Sequence, residues 1–443
     1  MTRLRALGVL LLALSTISTG GPADAQEPFT ALVGATVHPV SGPPLDGATV
    51  LVSGDTIQAV GSDLEVPADA SVVDLTGRHL YPTFIAAHSV LGLVEVNSVR
   101  GTVDTRETGD LNPALRTEVA FNADSRLLPV TVSGGVLFAH VVPSGGLLAG
   151  TSAVMRLEGW NWRGMTVRAP VAMHLQFPIY EAPEESWWGE PKTQEEVDED
   201  RKEALELLNK TFDDARAYRK ARAAHDDGRG PWVAYDPNLE ALLPVLDGSR
   251  PLFLHAAEHR QIEGALEWAR EEGLENLVLV SRQDATAFAQ RLAEDEIPVI
   301  LAGVLREPER DWEPYDAAFT AAARLHEAGV KLVIADSGST FGAANTRNLP
   351  FHAAMAATFG LPRDAALRAI TLSAAEVLGV AERLGSLEAG KEASFVITDG
   401  DPLEITTRIE AVWSAGRPVD LDQDPQRRLY QRYRQRPTAP SQP

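Results

Sequence analysis

The sequence LYPTFIAAHSVLGL, at residues 80–93, is the stretch on which the prediction of the fold depends. The apolar run from Phe84 to Ala87 follows a proline and is typical of a short buried β-strand. It ends at His88, and a loop containing Gly92 begins directly afterwards. An α/β barrel builds its active site from residues at the carboxyl ends of its strands. We therefore predict a barrel strand that carries a functional histidine at its end.

The composition of the chain limits the classes of partner. Of the 443 residues, 44% are hydrophobic and 23% are charged, which is ordinary for a globular protein with one large core and a smaller module. The formal net charge of −22 argues against nucleic acid as a partner, because phosphate binding requires clusters of basic residues. A small molecule is the expected substrate or ligand.

The first 25 residues are predicted to be a secretory signal peptide. Arg3 and Arg5 form its basic start, residues 6–17 form an apolar run, and residues 23–25 read Ala-Asp-Ala, a small-x-small cleavage site. The apolar run is shorter than the ~20 helical residues that span a bilayer. We therefore expect an exported protein, periplasmic or secreted, that is cleaved near Ala25 and has no membrane span. The chain contains no cysteine, so it forms no disulfide.

Both chain ends carry short alternating runs that predict antiparallel strands. Residues 26–81 contain several such runs separated by glycine and proline, and residues 386–421 contain further ones. Neither end has enough strands to cover a hydrophobic face alone. We therefore predict one small β-sandwich that is built from both ends. Residues 422–443 are basic and then proline-rich, and we expect them to form a docked or frayed tail.

The residues between the two ends, 82–385, are predicted to form an α/β barrel. In the second half of this region, short apolar runs alternate with amphipathic helices, which is typical of parallel strands buried on both faces. The runs lie at residues 251–255, 276–281, 298–303 and 331–337. The length of the region agrees with the ~250 residues or more of a (β/α)8 barrel. The expected fold is an α/β protein with a TIM-like barrel and a small β-sandwich.

The stretch at residues 80–93 resembles the first-strand signature of the amidohydrolase superfamily, Pro-Gly-Phe-Ile-Asp-x-His-x-His. Four positions match, namely Pro82, Phe84, Ile85 and His88, and three depart, namely Thr83, Ala86 and Val90. Residues 386–402 resemble the terminal signature of the same superfamily. Three other segments are similar to its imidazolonepropionase-like members, which are often exported: 134–155, 254–262 and 369–379. The resemblance implies a barrel bracketed by a composite sandwich, and a hydrolase that acts on non-peptide C–N or amide bonds.

The same resemblance implies which residues would bind a metal. Members of the superfamily hold one or two divalent metals, such as zinc, with histidines from strands 1, 5 and 6 and an aspartate after strand 8. By position, this assigns His88, His255 and Asp336 as metal ligands, and Asp336 as the catalytic residue that accepts a proton. Ser281 stands where the strand-6 histidine belongs. Glu158 is a further candidate, for the mid-barrel ligand that many members carry.

Two functions remain open at this point. The first is a hydrolase with one weakly held divalent metal, and the second is a barrel that kept the fold but lost metal and chemistry. In the second case the protein is an exported binding protein or the partner subunit of an active amidohydrolase paralogue; a homo-oligomer is compatible with both. Val90 and Ser281 favour impaired or lost metal-dependent catalysis, because neither side chain is a good zinc ligand. Without metal, the three assigned ligands would form a hydrogen-bonded polar cluster.

Two further histidines, His140 and His174, lie in strand-like runs, and we expect them to be hydrogen-bonded residues of the core. The charged run at residues 195–224 predicts one long helix with a solvated face. The loops that would set the choice of substrate, at residues 97–115 and 178–193, contain no recognisable motif. The sequence therefore names no substrate.

Overall fold

The computed structural model describes residues 28–183 and 190–437. The predicted signal peptide lies outside the described residues, as do the middle of the loop at 178–193 and the end of the tail at 422–443. Within the described ranges, no helix is both long enough and apolar enough to cross a membrane.

The secondary structure elements are numbered in chain order. The strands are β1 (Phe29–Val37), β2 (Leu45–Ser53), β3 (Thr56–Gly61), β4 (Ser71–Asp74), β5 (His79–Pro82), β6 (Phe84–Ser89), β7 (Val136–Val141), β8 (Leu148–Thr151), β9 (Ala153–Arg156), β10 (Thr166–Arg168), β11 (Met173–Gln176), β12 (Leu252–His255), β13 (Leu277–Ser281), β14 (Val299–Ala302), β15 (Leu332–Ala335), β16 (Phe395–Thr398), β17 (Ile409–Ser414) and β18 (Arg417–Pro418). The helices are α1 (Leu127–Ser133), α2 (Trp162–Met165), α3 (Gln194–Asp226), α4 (Pro237–Leu246), α5 (His259–Glu271), α6 (Ala289–Glu294), α7 (Ala317–Glu327), α8 (Leu349–Thr358), α9 (Arg363–Ala369), α10 (Leu372–Val377) and α11 (Pro425–Arg434).

Strands from both chain ends share one eight-stranded sheet. Its hydrogen-bonded order is β18-β17-β16-β5-β1-β2-β3, and β4 pairs with β1. The two ends meet in the antiparallel pair of β5 and β16, in which Leu80 lies opposite Ile397. Leu32, Ile57 and Phe395 are fully buried in the small apolar core on this sheet. The predicted two-layer sandwich is not confirmed, because the described strands of both ends follow a single sheet.

The rest of the chain forms a mixed α/β fold with two further sheets. One has the strand order β15-β14-β13-β12-β11-β8, and the other has the order β10-β9-β7-β6. Strands β11 to β15 run parallel to one another, and helices α3 to α7 lie between them in sequence. Every residue of β13, β14 and β15 is buried. The prediction of buried parallel strands is therefore confirmed for this half.

A closed eight-stranded barrel is not observed in the part of the chain that the structure describes. Strands β6 and β15 contact each other, but no hydrogen-bonded ladder joins their two sheets. The two sheets are also separate at residues 148–168, and the physical reason there is that β8, β9 and β10 make antiparallel pairs. The helix in this segment, α2, has only four residues. The segment therefore interrupts the alternation of parallel strand and covering helix that builds a barrel.

The parallel strands end at one edge, and this edge carries the polar residues that the sequence singled out. His88 lies near the end of β6, His255 is the last residue of β12, and Ser281 is the last residue of β13. Asp336 follows β15 directly. Ligands of α/β sheets bind outside the carboxyl ends of the strands. The fold thus brings these residues to the edge where a site is expected.

A buried ion pair connects the α/β sheets to the sheet of both chain ends. Arg156, at the end of β9, donates two hydrogen bonds to the carboxylate of Glu392, at 2.9 and 2.8 Å. The two side chains are 14% and 5% exposed. Arg156 also donates to Ser414 in β17 at 2.8 Å, and Arg383 donates to Glu392 at 3.0 Å. Because the carboxylate is removed from water, its charge is tolerated only with these donors.

Replacing Arg156 by methionine is expected to lower the free energy of unfolding by about 3 kcal/mol, because Glu392 stays buried without its main partner. Urea-induced unfolding measures the change. The matched control is Arg78→Met, at the sheet of both chain ends. It breaks the ion pair in which Nε of Arg78 lies 2.6 Å from Oε2 of Glu410. Those side chains are 42% and 36% exposed, so the control should lose less than ~1 kcal/mol. Equal losses in both variants would contradict the role given to Arg156.

Candidate functional site

His88 presents an imidazole ring with a free nitrogen at the polar edge. Its Nδ1 is buried and has no hydrogen-bond partner among the described residues. The ring hydrogen-bonds to the backbone of Asp336, and burial lowers the pKa of His88 to about 4. The ring is therefore neutral at pH 7. A neutral imidazole that donates through one nitrogen has a free lone pair on the other, so Nδ1 can accept a proton or a hydrogen bond.

His255 is held by a second histidine, His174 of the neighbouring strand β11. Nδ1 of His174 lies 2.8 Å from Nε2 of His255, so one ring donates and the other accepts. Burial lowers the pKa of both residues, and each of them also lies beside other imidazoles that disfavour a positive charge. Nε2 of His174 is buried without a partner in the described part of the chain. The prediction of His174 as a core histidine thus missed its contact with the site; a histidine inside the apolar run of β11 was the available signal.

His140 is a core histidine with both nitrogens hydrogen-bonded, as its position in an apolar strand predicted. Nδ1 donates to the carbonyl of Ala87 at 2.8 Å, and Nε2 accepts from the hydroxyl of Ser152 at 2.7 Å. The side chain is fully buried. Burial lowers the pKa of His140 to about 3. Because the Ala87 carbonyl precedes His88, this bond helps to fix the end of β6.

Asp336 is buried beside a histidine that the sequence analysis did not identify. The backbone N–H of Ser337 donates to Oδ1 of Asp336 at 2.7 Å, and burial raises the pKa of the carboxyl group. Nε2 of His352, in α8, lies 3.9 Å from the same oxygen. Nδ1 of His352 accepts from the backbone N–H of Leu305 at 3.3 Å, and burial lowers the pKa of His352 to about 4. His352 lies outside every segment that resembles the superfamily, so only the fold reveals its proximity to Asp336.

The other predicted positions lie where they cannot complete a ligand set. Val90 is 1% exposed and packs in the main apolar core. Ser281 is 2% exposed, and its hydroxyl has no hydrogen-bond partner among the described residues. Glu158 follows β9 and is exposed to solvent. The structure therefore places Glu158 away from the buried residues at the polar edge.

The donor set at this edge does not match a three-ligand metal centre. The rings of His88 and His255 are adjacent, with centroids 5.4 Å apart, but Nε2 of His255 is engaged by His174. Within the described ranges, no group of three or more histidine, aspartate or glutamate side chains is arranged so that it could hold a metal ion. Catalytic zinc requires three protein ligands and one open position. His88, His255 and Asp336 share one edge without forming such a group.

A cavity of about 1620 Å³ opens above this edge. His88, His255, Ser281 and Ser337 line its floor, and its wall includes the segments that follow β13 and β14. Gln176, Arg282, Asp284, Glu309, Arg310 and Trp312 are among the wall residues. The cavity is large enough for a small organic molecule. Its floor consists of neutral imidazoles and hydroxyl groups.

Comparison with known proteins gives the family. A profile of the Amidohydrolase family matches residues 248–420. The crystal structure of an amidohydrolase from Thermotoga maritima is similar with a TM-score of 0.77 and 26% sequence identity, covering 88% of this chain and 99% of that one. These similarities support the amidohydrolase superfamily for this chain. The resemblance seen in the first strand is thus confirmed.

Two sequence relatives agree with membership of the amidohydrolase superfamily. Amidohydrolase tasK of Hapsidospora irregularis is 24% identical over 382 residues, which cover 80% of this chain and 37% of that protein. Imidazolonepropionase of Mesorhizobium japonicum is 33% identical over 192 residues, which cover 41% of this chain and 44% of that protein. The matched region spans less than half the length of either curated relative.

Gly338→Ala is expected to displace His88 and to lower the free energy of unfolding by about 3 kcal/mol. Gly338 has a φ of +64°, and a Cβ there would lie 2.2 Å from Cε1 of His88. Urea-induced unfolding gives the energy, and NMR of the imidazole C–H groups reports the ring. The matched control is Gly248→Ala, with a φ of +74° and no atom within 4 Å of its Cβ. If both variants lost the same ~1 kcal/mol expected of backbone strain alone, the packing of His88 on Gly338 would be contradicted.

The buried histidine His140 should make the protein less stable as the pH falls below neutrality. Its folded pKa of about 3 lies below the ordinary histidine value of 6.5, so the unfolded chain binds more protons between these two pH values, and stability is lost as pH decreases. His140→Gln removes this contribution to the pH dependence of stability. The difference in unfolding free energy between the two proteins should therefore shrink by about 1.4 kcal/mol per pH unit from pH 6.5 downwards. The control is His326→Gln, at an exposed position of α7. A pH-independent difference for His140→Gln would contradict the assignment.

Proposed function

We propose that this chain is a small-molecule hydrolase scaffold of the amidohydrolase superfamily, for non-peptide C–N or amide bonds, whose metal-dependent catalysis is impaired. Members of the superfamily usually use a divalent metal. The observation that carries the proposal is the substitution of two ligand positions, by Val90 in the apolar core and by Ser281 at the end of β13. The hydrogen bond between His174 and His255 adds support, because it occupies a nitrogen that a metal would need.

The residues of the chain can still bind a small molecule and move a proton. His88 lines the cavity and offers a neutral nitrogen there. Asp336 is buried with a raised pKa and has His352 as a neighbour. A carboxyl group of raised pKa is suited to accept and return a proton near neutral pH. A divalent metal, where one is bound, would supply a hydroxide for attack on a carbonyl carbon.

Two finer points belong to the same proposal. We take the two α/β sheets as a distorted (β/α)8 barrel, which the similarity to the Thermotoga maritima amidohydrolase supports. We also take the protein to be exported after cleavage near Ala25, on the evidence of its first residues. If the metal is lost outright, the same cavity serves binding instead of turnover, in an exported binding protein or in a subunit of an active paralogue.

The metal content of the purified protein tests the proposal. We expect well under one equivalent of zinc, manganese or iron after dialysis, because two histidine ligands are missing and even outer-shell losses weaken binding ~10–100-fold. Val90→His combined with Ser281→His should raise the metal content, since it restores both positions. Inductively coupled plasma mass spectrometry measures the metal.

The control is a triple variant that adds His255→Ala to the two new histidines. It should lose the gained metal if His255 belongs to the restored ligand set. Should the double variant fail to fold, the content of the unaltered protein decides alone. A full equivalent of tightly held metal in the unaltered protein, lost on His255→Ala or Asp336→Ala, would overturn the proposal and make this chain an ordinary metal-dependent hydrolase.

A further inference from the structure

The end of β13 carries a buried hydroxyl that faces the cavity without a partner. Ser281 is 2% exposed, it lines the cavity, and its Oγ forms no hydrogen bond within the described residues. A buried polar atom left unsatisfied costs free energy, so it normally has a partner that is a protein group, a water molecule or a ligand. The hydroxyl can donate one hydrogen bond to such a partner. We therefore expect a hydrogen-bond acceptor for this hydroxyl inside the cavity.

The next residue, Arg282, is a cation that lines the same cavity. Its guanidinium pairs with Glu309, and the guanidinium of Arg306 pairs with the same carboxylate oxygen. Arg282 is 41% exposed, whereas Arg306 is 21% exposed. Two positive charges thus share one negative charge. If Arg282 turned towards a ligand, Glu309 would keep Arg306 and would not be left uncompensated.

Two other arginines line the cavity, Arg310 and Arg324. Arg310 donates to Asp284 at 2.8 Å and to Glu313 at 2.7 Å, so it is committed to two carboxylates. Burial lowers the pKa of His88 and of His255, so both rings are neutral at pH 7. Arg324 lies in α7, outside the segment that follows β13, so Arg282 is the cation beside β13 whose charge can be redirected. It stands one residue from the unsatisfied hydroxyl.

We propose that Ser281 and Arg282 form a subsite for a carboxylate group, and that the small molecule bound in the cavity is a carboxylic acid. The planar guanidinium matches the two oxygens of a carboxylate, and the serine hydroxyl donates a further hydrogen bond. The inference rests on the proposed function in one respect, that the cavity takes a small molecule. It gives Ser281 a use in place of the metal ligand that the superfamily has at this position.

Binding of matched acids and esters tests the subsite. The probes are N-acetylglycine, N-acetyl-β-alanine and N-acetyl-4-aminobutanoate, each compared with its methyl ester by isothermal titration calorimetry on chelator-treated protein. At least one acid should bind about tenfold or more tightly than its ester, as a hydrogen bond to a charged group predicts. Arg282→Gln should remove this preference and leave the affinity for the ester unchanged. Ser281→Ala should weaken the affinity for the acid by about threefold to tenfold.

The matched control is Arg291→Gln in α6, outside the cavity. Arg291 is 33% exposed and pairs with Asp295 at 3.5 Å, so it resembles Arg282 in exposure and in having a carboxylate partner. Its replacement should preserve the preference for the acid. If Arg282→Gln does not fold, a crystal structure of the unaltered protein with the acid decides by the position of the carboxylate.

Three results would overturn the subsite: equal affinity for acid and ester, no binding of any acid, or a preference that survives Arg282→Gln. A carboxylate placed away from Ser281 in the crystal structure would do the same. Metal content is measured separately on untreated protein. The proposed loss of metal and the proposed carboxylate subsite can therefore fail independently of each other.

Discussion

The hydrogen bond between His174 and His255 constrains the rest of the polar edge. Two imidazoles 2.8 Å apart share this bond only while at least one of them is neutral, since two charged rings have no lone pair to accept with. Burial supplies that condition, because it lowers the pKa of both residues. The same condition reaches His88 and His140, whose rings lie next in line. His88 and His255, the two of these rings that line the cavity, therefore present uncharged imidazoles to it.

This neutrality explains how the edge tolerates its substitutions. In a site built around a divalent cation, anionic and neutral ligands offset the charge of the metal. Here Val90 joins the apolar core, and the four histidines need no counter-charge. Asp336 lies at the same edge, and its raised pKa reduces the cost of burying it. The charge state of each of these groups is thus compatible with its burial.

The parts of the fold that the sequence predicted are those in which a local pattern determines the structure. The run that ends at His88 and the apolar runs of β12 to β15 are strands. Consecutive apolar residues in each run indicate burial on both faces, so the sequence alone predicts them. Barrel closure was predicted from length and resemblance, and the antiparallel strands at residues 148–168 interrupt it. His352 and the role of His174 were missed for a related reason. Their contacts join residues far apart in sequence, and a histidine in an apolar run looks the same whether it faces the core or a site.

The position of Glu158 illustrates why matching by motif fails where the backbone changes course. The resemblance to the superfamily made Glu158 a candidate because it occupies the position expected for the mid-barrel ligand. Strand β9 is instead paired antiparallel with β7, and its last residue, Arg156, turns to the buried Glu392 of the other sheet. Glu158 is carried into solvent by that arrangement. Strand β9 thus ends in a residue that joins the two parts of the molecule, and the chain directly after it carries Glu158 into solvent.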